Sequence, residues 1–174
     1  MTGLVRLAFA AFFFFYFAYI GLMSPYASLY FASRNFGAIE IAALMSMFQI
    51  TLILGPFAWG WLADIRRDRL GIMRVTSVMA CIIFLAIFYL ESYLPLLIWM
   101  FLLNTVISSL MPLGEAATVH ALYKNNDFDR RYGRLRLWGS IGFIAMVLSA
   151  GAWFERFGIE SFPYFGITAL LIMT

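Results

Sequence analysis

Long apolar runs, separated by short loops that hold most of the charge, set the first limit on what this chain can fold into. A helix crossing a hydrocarbon core about 30 Å thick needs about 20 residues, and only helices and closed barrels satisfy every backbone group there. The runs are unbroken at that length, which excludes the alternating pattern of barrel strands. They predict spans at about 7–30, 41–63, 72–90, 95–122 and 135–154, with a sixth over 162–174. The expected fold class is all-α, a polytopic transmembrane helical bundle. The sixth run offers about 20 Å of helix, short of the hydrocarbon thickness, so the chain is expected to be cut within that helix.

Composition agrees with a bilayer as the solvent. Apolar residues make up 64% of the chain and charged residues 12%, against about 45–50% and 25% in soluble domains. A soluble fold of this size would leave many of the 19 Phe facing water. The one cysteine, Cys81, lies in an apolar run, so neither a disulfide framework nor a CxxC site forms within the chain. The first run passes 20 residues with no small-residue cleavage site, and is expected to be a retained span.

Charge sets the expected orientation. With the N-terminus inside, the inner side holds Arg6, Arg66, Arg67, Arg69, Arg74, Lys124, Arg130, Arg131, Arg134 and Arg136, ten of the twelve basic residues. The outer loops carry Glu40, Glu91, Glu155 and Glu160. Short loops rich in Lys and Arg stay cytoplasmic, which predicts an integral protein of the cytoplasmic (bacterial inner) membrane with a cytoplasmic N-terminus.

Three stretches carry more specific information. Gly60-Trp61-Leu62-Ala63-Asp64, followed by Arg66, Arg67 and Arg69, resembles the loop signature of the major facilitator superfamily. In that family the Gly permits close helix packing and the Asp joins a charge network that holds the cytoplasmic side closed. The resemblance therefore implies gating roles for Gly60, Asp64 and Arg69. Ile65, Arg67 and Asp68 depart from the pattern. Read without the family, the same stretch is a solvated, positive-inside loop.

The run from Phe12 to Phe17, with Gly21 and Pro25 beyond it, is similar to the first helix of the lactose-permease branch of the superfamily. Tyr19, Met23, Tyr26 and Tyr30 recur at helical spacing, which suits either a cavity wall or plain helix packing.

The third stretch is Pro112-Leu113-Gly114-Glu115-Ala116, resumed at Tyr132-Gly133-Arg134-Leu135-Arg136-Leu137-Trp138-Gly139. It resembles the fourth and fifth helices of the lactose-permease and phenylpropionate-permease-like branch, where the matching Glu and second Arg form a substrate-binding pair. The resemblance assigns Glu115 and Arg136 that role. Physically, a charge inside a span costs about 2.5–3.5 kcal/mol on insertion scales, so it seeks a partner or a water-filled cavity. Arg136 offers a planar fork suited to carboxylates or hydroxyls. Asn104, Ser108, Met111, Glu115 and Thr118 share one stripe of span four, and Arg136, Ser140, Phe143 and Val147 one stripe of span five, as facing walls of a polar cavity would. Counting twenty residues inward from Pro95, however, brings Glu115 close to the cytoplasmic edge, where a structural pair or interfacial snorkelling is the alternative. Phe143 stands where the lactose permeases carry a stacking Trp, and Trp138 where they carry Phe. An aryl carboxylate and a sugar are both open as the solute.

His120 is read as an interface residue, with proton handling as the minority role. Gln49, Thr51, Gly55 and Pro56 are read as packing or a bend. No phosphate loop, nucleophile elbow or metal motif is present in the sequence, so no enzyme activity, cofactor or nucleic acid is expected. The resemblance implies the six-helix N-terminal half of a major facilitator fold. It also implies secondary active transport, with the solute, a proton, the bilayer and a C-terminal half as partners. A non-transporting membrane scaffold, with Glu115 and Arg136 merely ordering helices, is the rival reading.

Overall fold

The computed structural model describes residues 3–66, 68–123 and 128–174, with their side chains except at 123 and 128–131. Of the basic residues expected on the inner side, Arg67 and Lys124 lie outside the described residues, as do the side chains of Arg130 and Arg131. Six helices follow one another: α1 (Gly3–Ser33), α2 (Ala38–Arg66), α3 (Arg69–Leu85), α4 (Tyr93–Tyr123), α5 (Phe128–Phe157) and α6 (Phe162–Met173). Three-residue 3-10 turns at Ala86–Phe88 and Ile159–Ser161 follow α3 and precede α6. No strand occurs among the described residues. The first five helical segments are long and apolar enough to cross a membrane. The sixth is twelve residues long.

Helices α1, α2, α4 and α5 outrun the hydropathy boundaries at both ends, whereas α3 starts three residues early and ends at Leu85, short of the expected 90. Helix α5 begins at Phe128, seven residues before its apolar stretch, because nothing in the polar lead-in Asp129-Arg130-Arg131-Tyr132 breaks a helix. The loops show what does stop one. Asn35 takes a left-handed φ of 64° after α1, a conformation that Asn tolerates better than most residues. Asp68 caps α3 by accepting the Gly71 N–H at 2.8 Å. This residue departs from the family loop signature, and its local work is to start the third helix.

Helices α1, α3 and α5 run one way and α2, α4 and α6 the other, and the bundle has two packed groups. In one, α1 lies along α5 and α6. Two glycines let the backbones of α1 and α5 close up: a Cβ on Gly21 would stand 2.8 Å from the Phe143 carbonyl oxygen, and one on Gly142 would overlap the backbone of Phe14. In the other group, α4 lies between α2 and α3. The Trp59 indole donates to the Thr105 carbonyl at 3.0 Å, and the Trp99 indole to the Ile83 carbonyl at 2.7 Å. Tyr30 stacks on Phe162 at 4.8 Å and Phe84 meets Gly166, which seats α6 against α1 and α3. Phe13, Phe31, Phe84 and Phe162 are fully buried. The outward faces are apolar as well: Phe57 is 77% exposed and Leu148 68%. Such residues are stable outward only when the surroundings are lipid or another apolar surface.

Candidate functional site

Glu115 lies eight residues before the end of α4, and Arg136 eight residues after the start of α5. At 1.5 Å per residue both stand about 12 Å from those helix ends. Arg136 Nε is 3.7 Å from Glu115 Oε1, and the two side chains are 40% and 37% exposed. The Tyr132 hydroxyl donates to the same Glu115 oxygen at 3.3 Å. Tyr132 is one helical turn before Arg136, so α5 presents a donor and a cation to one carboxylate.

The aromatic run of α1 forms the wall behind this pair. The Arg136 guanidinium stands 4.7 Å from the centre of the Phe17 ring and 5.9 Å from that of Phe13. Its Nη1 reaches the Met111 sulfur at 3.7 Å. A cation over an aromatic face gains about 0.5–1 kcal/mol at exposed sites. The ion pair is long and more than a third exposed, so after screening it contributes well under 1 kcal/mol. Arg136 is thus positioned by rings and sulfur as much as by Glu115, and a ligand oxygen can replace part of the ion pair at small energetic cost.

The two proposed stripes divide in the structure. On α4, Met111 and Glu115 meet Arg136, while three polar residues are buried and bond within their own helix: Asn104 Nδ2 to the Met100 carbonyl at 2.8 Å, Ser108 to Thr105 at 2.9 Å and Thr118 to Gly114 at 2.7 Å. Ser108 also fills the α2–α4 seam against Gly55. On α5, Ser140 is exposed and the Phe143 backbone is taken up by the Gly21 crossing. Tyr19 packs edge-on against Phe84 at 6.2 Å, fully buried, and its hydroxyl meets no partner among the described residues. Tyr26 donates to the Val147 carbonyl at 2.8 Å and packs on Phe154 at 5.1 Å. These two tyrosines make helix contacts rather than joining Glu115 and Arg136.

At the end of the bundle where α1 begins, Arg69 Nη2 lies 3.6 Å from Asp64 Oδ1, with the Arg69 side chain half exposed and that of Asp64 largely so. With Asp68 and His120 they line an open cavity of about 490 Å³. A Cβ on Gly60 would have nothing within 4 Å, so no contact among the described residues requires glycine there. Among the described residues, no three His, Cys, Asp or Glu side chains are grouped to hold a metal.

A second cavity, of about 340 Å³, lies between α1, α2 and α4. Ser24, Ser46, Gln49 and Asn104 are its polar lining. Gln49 is exposed to this space and is not packed into a helix seam. The signal for it is present in the chain, since Ala42, Met45, Ser46 and Gln49 fall at i, i+3, i+4 and i+7 on one face.

Residues 6–174 match the MFS_1 like family. The chain is 26% identical over 147 residues to a maltose permease of Geobacillus stearothermophilus, covering 84% of this chain and 36% of the permease. It is 26% identical over 141 residues to the uncharacterized transporter YwbF of Bacillus subtilis, covering 79% of this chain and 35% of that protein. The chain therefore spans about a third of the length of these curated relatives. No solved structure matches it.

Proposed function

The chain belongs to the MFS_1 like family, and from that premise we propose that it forms the N-terminal helical half of a secondary active transporter in the lactose-permease and phenylpropionate-permease-like branch. The transporter moves a small organic solute across the cytoplasmic membrane, with the N-terminus of the chain on the cytoplasmic side. A C-terminal half packs against this one, and rocking of the two halves exposes the solute to each side in turn. A proton gradient supplies the energy.

One observation carries the reading: a loose, half-exposed Glu115–Arg136 pair held well inside the helices. A long ion pair exposed to this degree adds little to the ordering of helices. This one leaves both groups open to a ligand. In this reading Glu115 and Arg136 contact the solute, and Asp64 and Arg69 help close the cytoplasmic side. Between the two solute classes, the similarity to a maltose permease favours a sugar over an aryl carboxylate.

The test is made with the natural full-length protein in proteoliposomes, recording solute-evoked proton currents for galactosides, maltose and aryl carboxylates. Currents for one class that Glu115→Gln and Arg136→Ala both abolish, in protein shown to be folded, support the reading. Currents that both variants leave unchanged refute the site, and silence of folded wild-type protein across the panel counts against the transport assignment for these solutes.

A further inference from the structure

The cavity between α1, α2 and α4 is set apart from the Glu115–Arg136 pair in both place and chemistry. Asn104 and Glu115 are eleven residues apart on α4, about 16 Å along the helix axis. Three helices each supply one stripe to the cavity: Ile20, Met23 and Ser24 from α1, the Ala42–Gln49 face from α2, and Met100 with Asn104 from α4. Among the described residues, no side chain lining it is charged.

That lining restricts what can enter. An ion would bring an uncompensated charge against methionines and Phe48, which is strongly disfavoured. An uncharged group loses much less, and here it meets both kinds of hydrogen-bonding partner. Gln49 offers two N–H donors and a carbonyl and Ser24 a hydroxyl, while the Ser46 hydroxyl, which donates to the Ala42 carbonyl at 2.7 Å, keeps its lone pairs as acceptors. The Asn104 amide nitrogen donates to the Met100 carbonyl at 2.8 Å and reaches the Met100 sulfur at 3.9 Å, which orients the carboxamide and leaves its oxygen as the acceptor it offers. The remaining walls, Ile20, Met23, Met45, Phe48 and Met100, suit a C–H face, and methionine adapts its shape to what it covers. The volume, about 340 Å³, is at the lower end for small-molecule sites, about 300–1,000 Å³.

We propose that this cavity is a second, charge-excluding binding site, for an uncharged organic solute that carries hydroxyl or amide groups on one edge and an apolar face on the other. The proposal rests on the transport reading for the reason a solute is present, and on the cavity alone for the chemistry of the solute. Gln49 is its main hydrogen-bonding residue.

The experiment uses the full-length protein in a Cys81→Ala background with a cysteine introduced by Ser46→Cys. The rate of maleimide labelling at position 46 is followed with glucose or uridine as uncharged probes, and with glucuronate or glucosamine as charged counterparts. At least one uncharged probe is expected to slow labelling severalfold while the charged probes leave it unchanged. Gln49→Leu, a change at an exposed position that the fold tolerates, is expected to raise the half-protecting concentration about tenfold. Repeating the measurement with Arg136→Ala separates the two sites, because protection is expected to survive a change that abolishes transport. Protection by none of the probes overturns the proposal, as does equal protection by charged ones or loss of protection with Arg136→Ala. None of these outcomes bears on whether Glu115 and Arg136 are needed for transport.

Discussion

The two long faces of α1 show opposite kinds of packing. Toward α5, Gly21 and Gly142 bring backbones together, Tyr26 is tied to the Val147 carbonyl, and the aromatic run presses against Arg136. Toward α2 the helix stands off, and a cavity lined by Ser24, Ser46, Gln49 and Asn104 occupies the gap. A bilayer gives helices no hydrophobic reason to associate, so close contact there depends on small residues and good fit. Where Gly21 and Gly142 meet the backbone of the facing helix, the seam is closed. Where α2 carries the long side chains of Met45, Phe48 and Gln49, it is open. The closed seam is therefore the frame, and the open face and the pair at its edge are where a ligand has room.

Substitutions can break or sharpen that contrast. The largest effect is expected at the seam: Gly142→Val drives two methyl groups into the Phe14 backbone, where overpacking costs about 1–3 kcal/mol or more. A clear drop in melting temperature in detergent, or loss of folded protein, is the expected result, whereas Gly60→Val at an unobstructed position should melt like wild type. Next comes Tyr19→Phe. Its hydroxyl is buried without a partner among the described residues, and removing such a group recovers part of a desolvation penalty of about 1–3 kcal/mol. Thermal unfolding should show a gain of about 1 kcal/mol, and a loss would mean that the hydroxyl has a partner in the working protein. On the open side, Gln49→Leu should change stability by about 0.5 kcal/mol or less, with its effect confined to solute binding. The smallest change is expected for Asp64→Asn, whose exposed ion pair with Arg69 adds little to folding. A shift in the rate of solute exchange, with an unchanged melting curve, is its expected signature.

Much of this architecture is legible in the chain, because the bilayer enforces it. Unbroken apolar runs can only be helices, and a charge such as Glu115 or Arg136 inside one is costly enough to call for a partner. The helix ends are less legible. Hydropathy registers the apolar stretch, whereas α5 continues through Arg134 and Tyr132 back to Phe128, and that extension is what brings the Tyr132 hydroxyl to Glu115. The fate of Ser108 and Thr118 is hidden for another reason. A hydroxyl on a helix can bond its own preceding carbonyl, and both do so, so a polar stripe is not by itself a cavity wall. Gln49 shows the reverse case: periodicity finds its face, but only the convergence of three helices reveals that the face is open.

The central claim is that Glu115 and Arg136 contact a solute rather than each other alone, and exchanging them tests it most directly. In the double variant Glu115→Arg with Arg136→Glu, an ion pair can still form between α4 and α5, while the charge offered to a ligand at each position is reversed. Solute-evoked current and melting temperature are measured together on the full-length protein. A melting temperature close to that of wild type with the current abolished is the predicted result, and a swapped protein that transports as well as wild type would contradict the account.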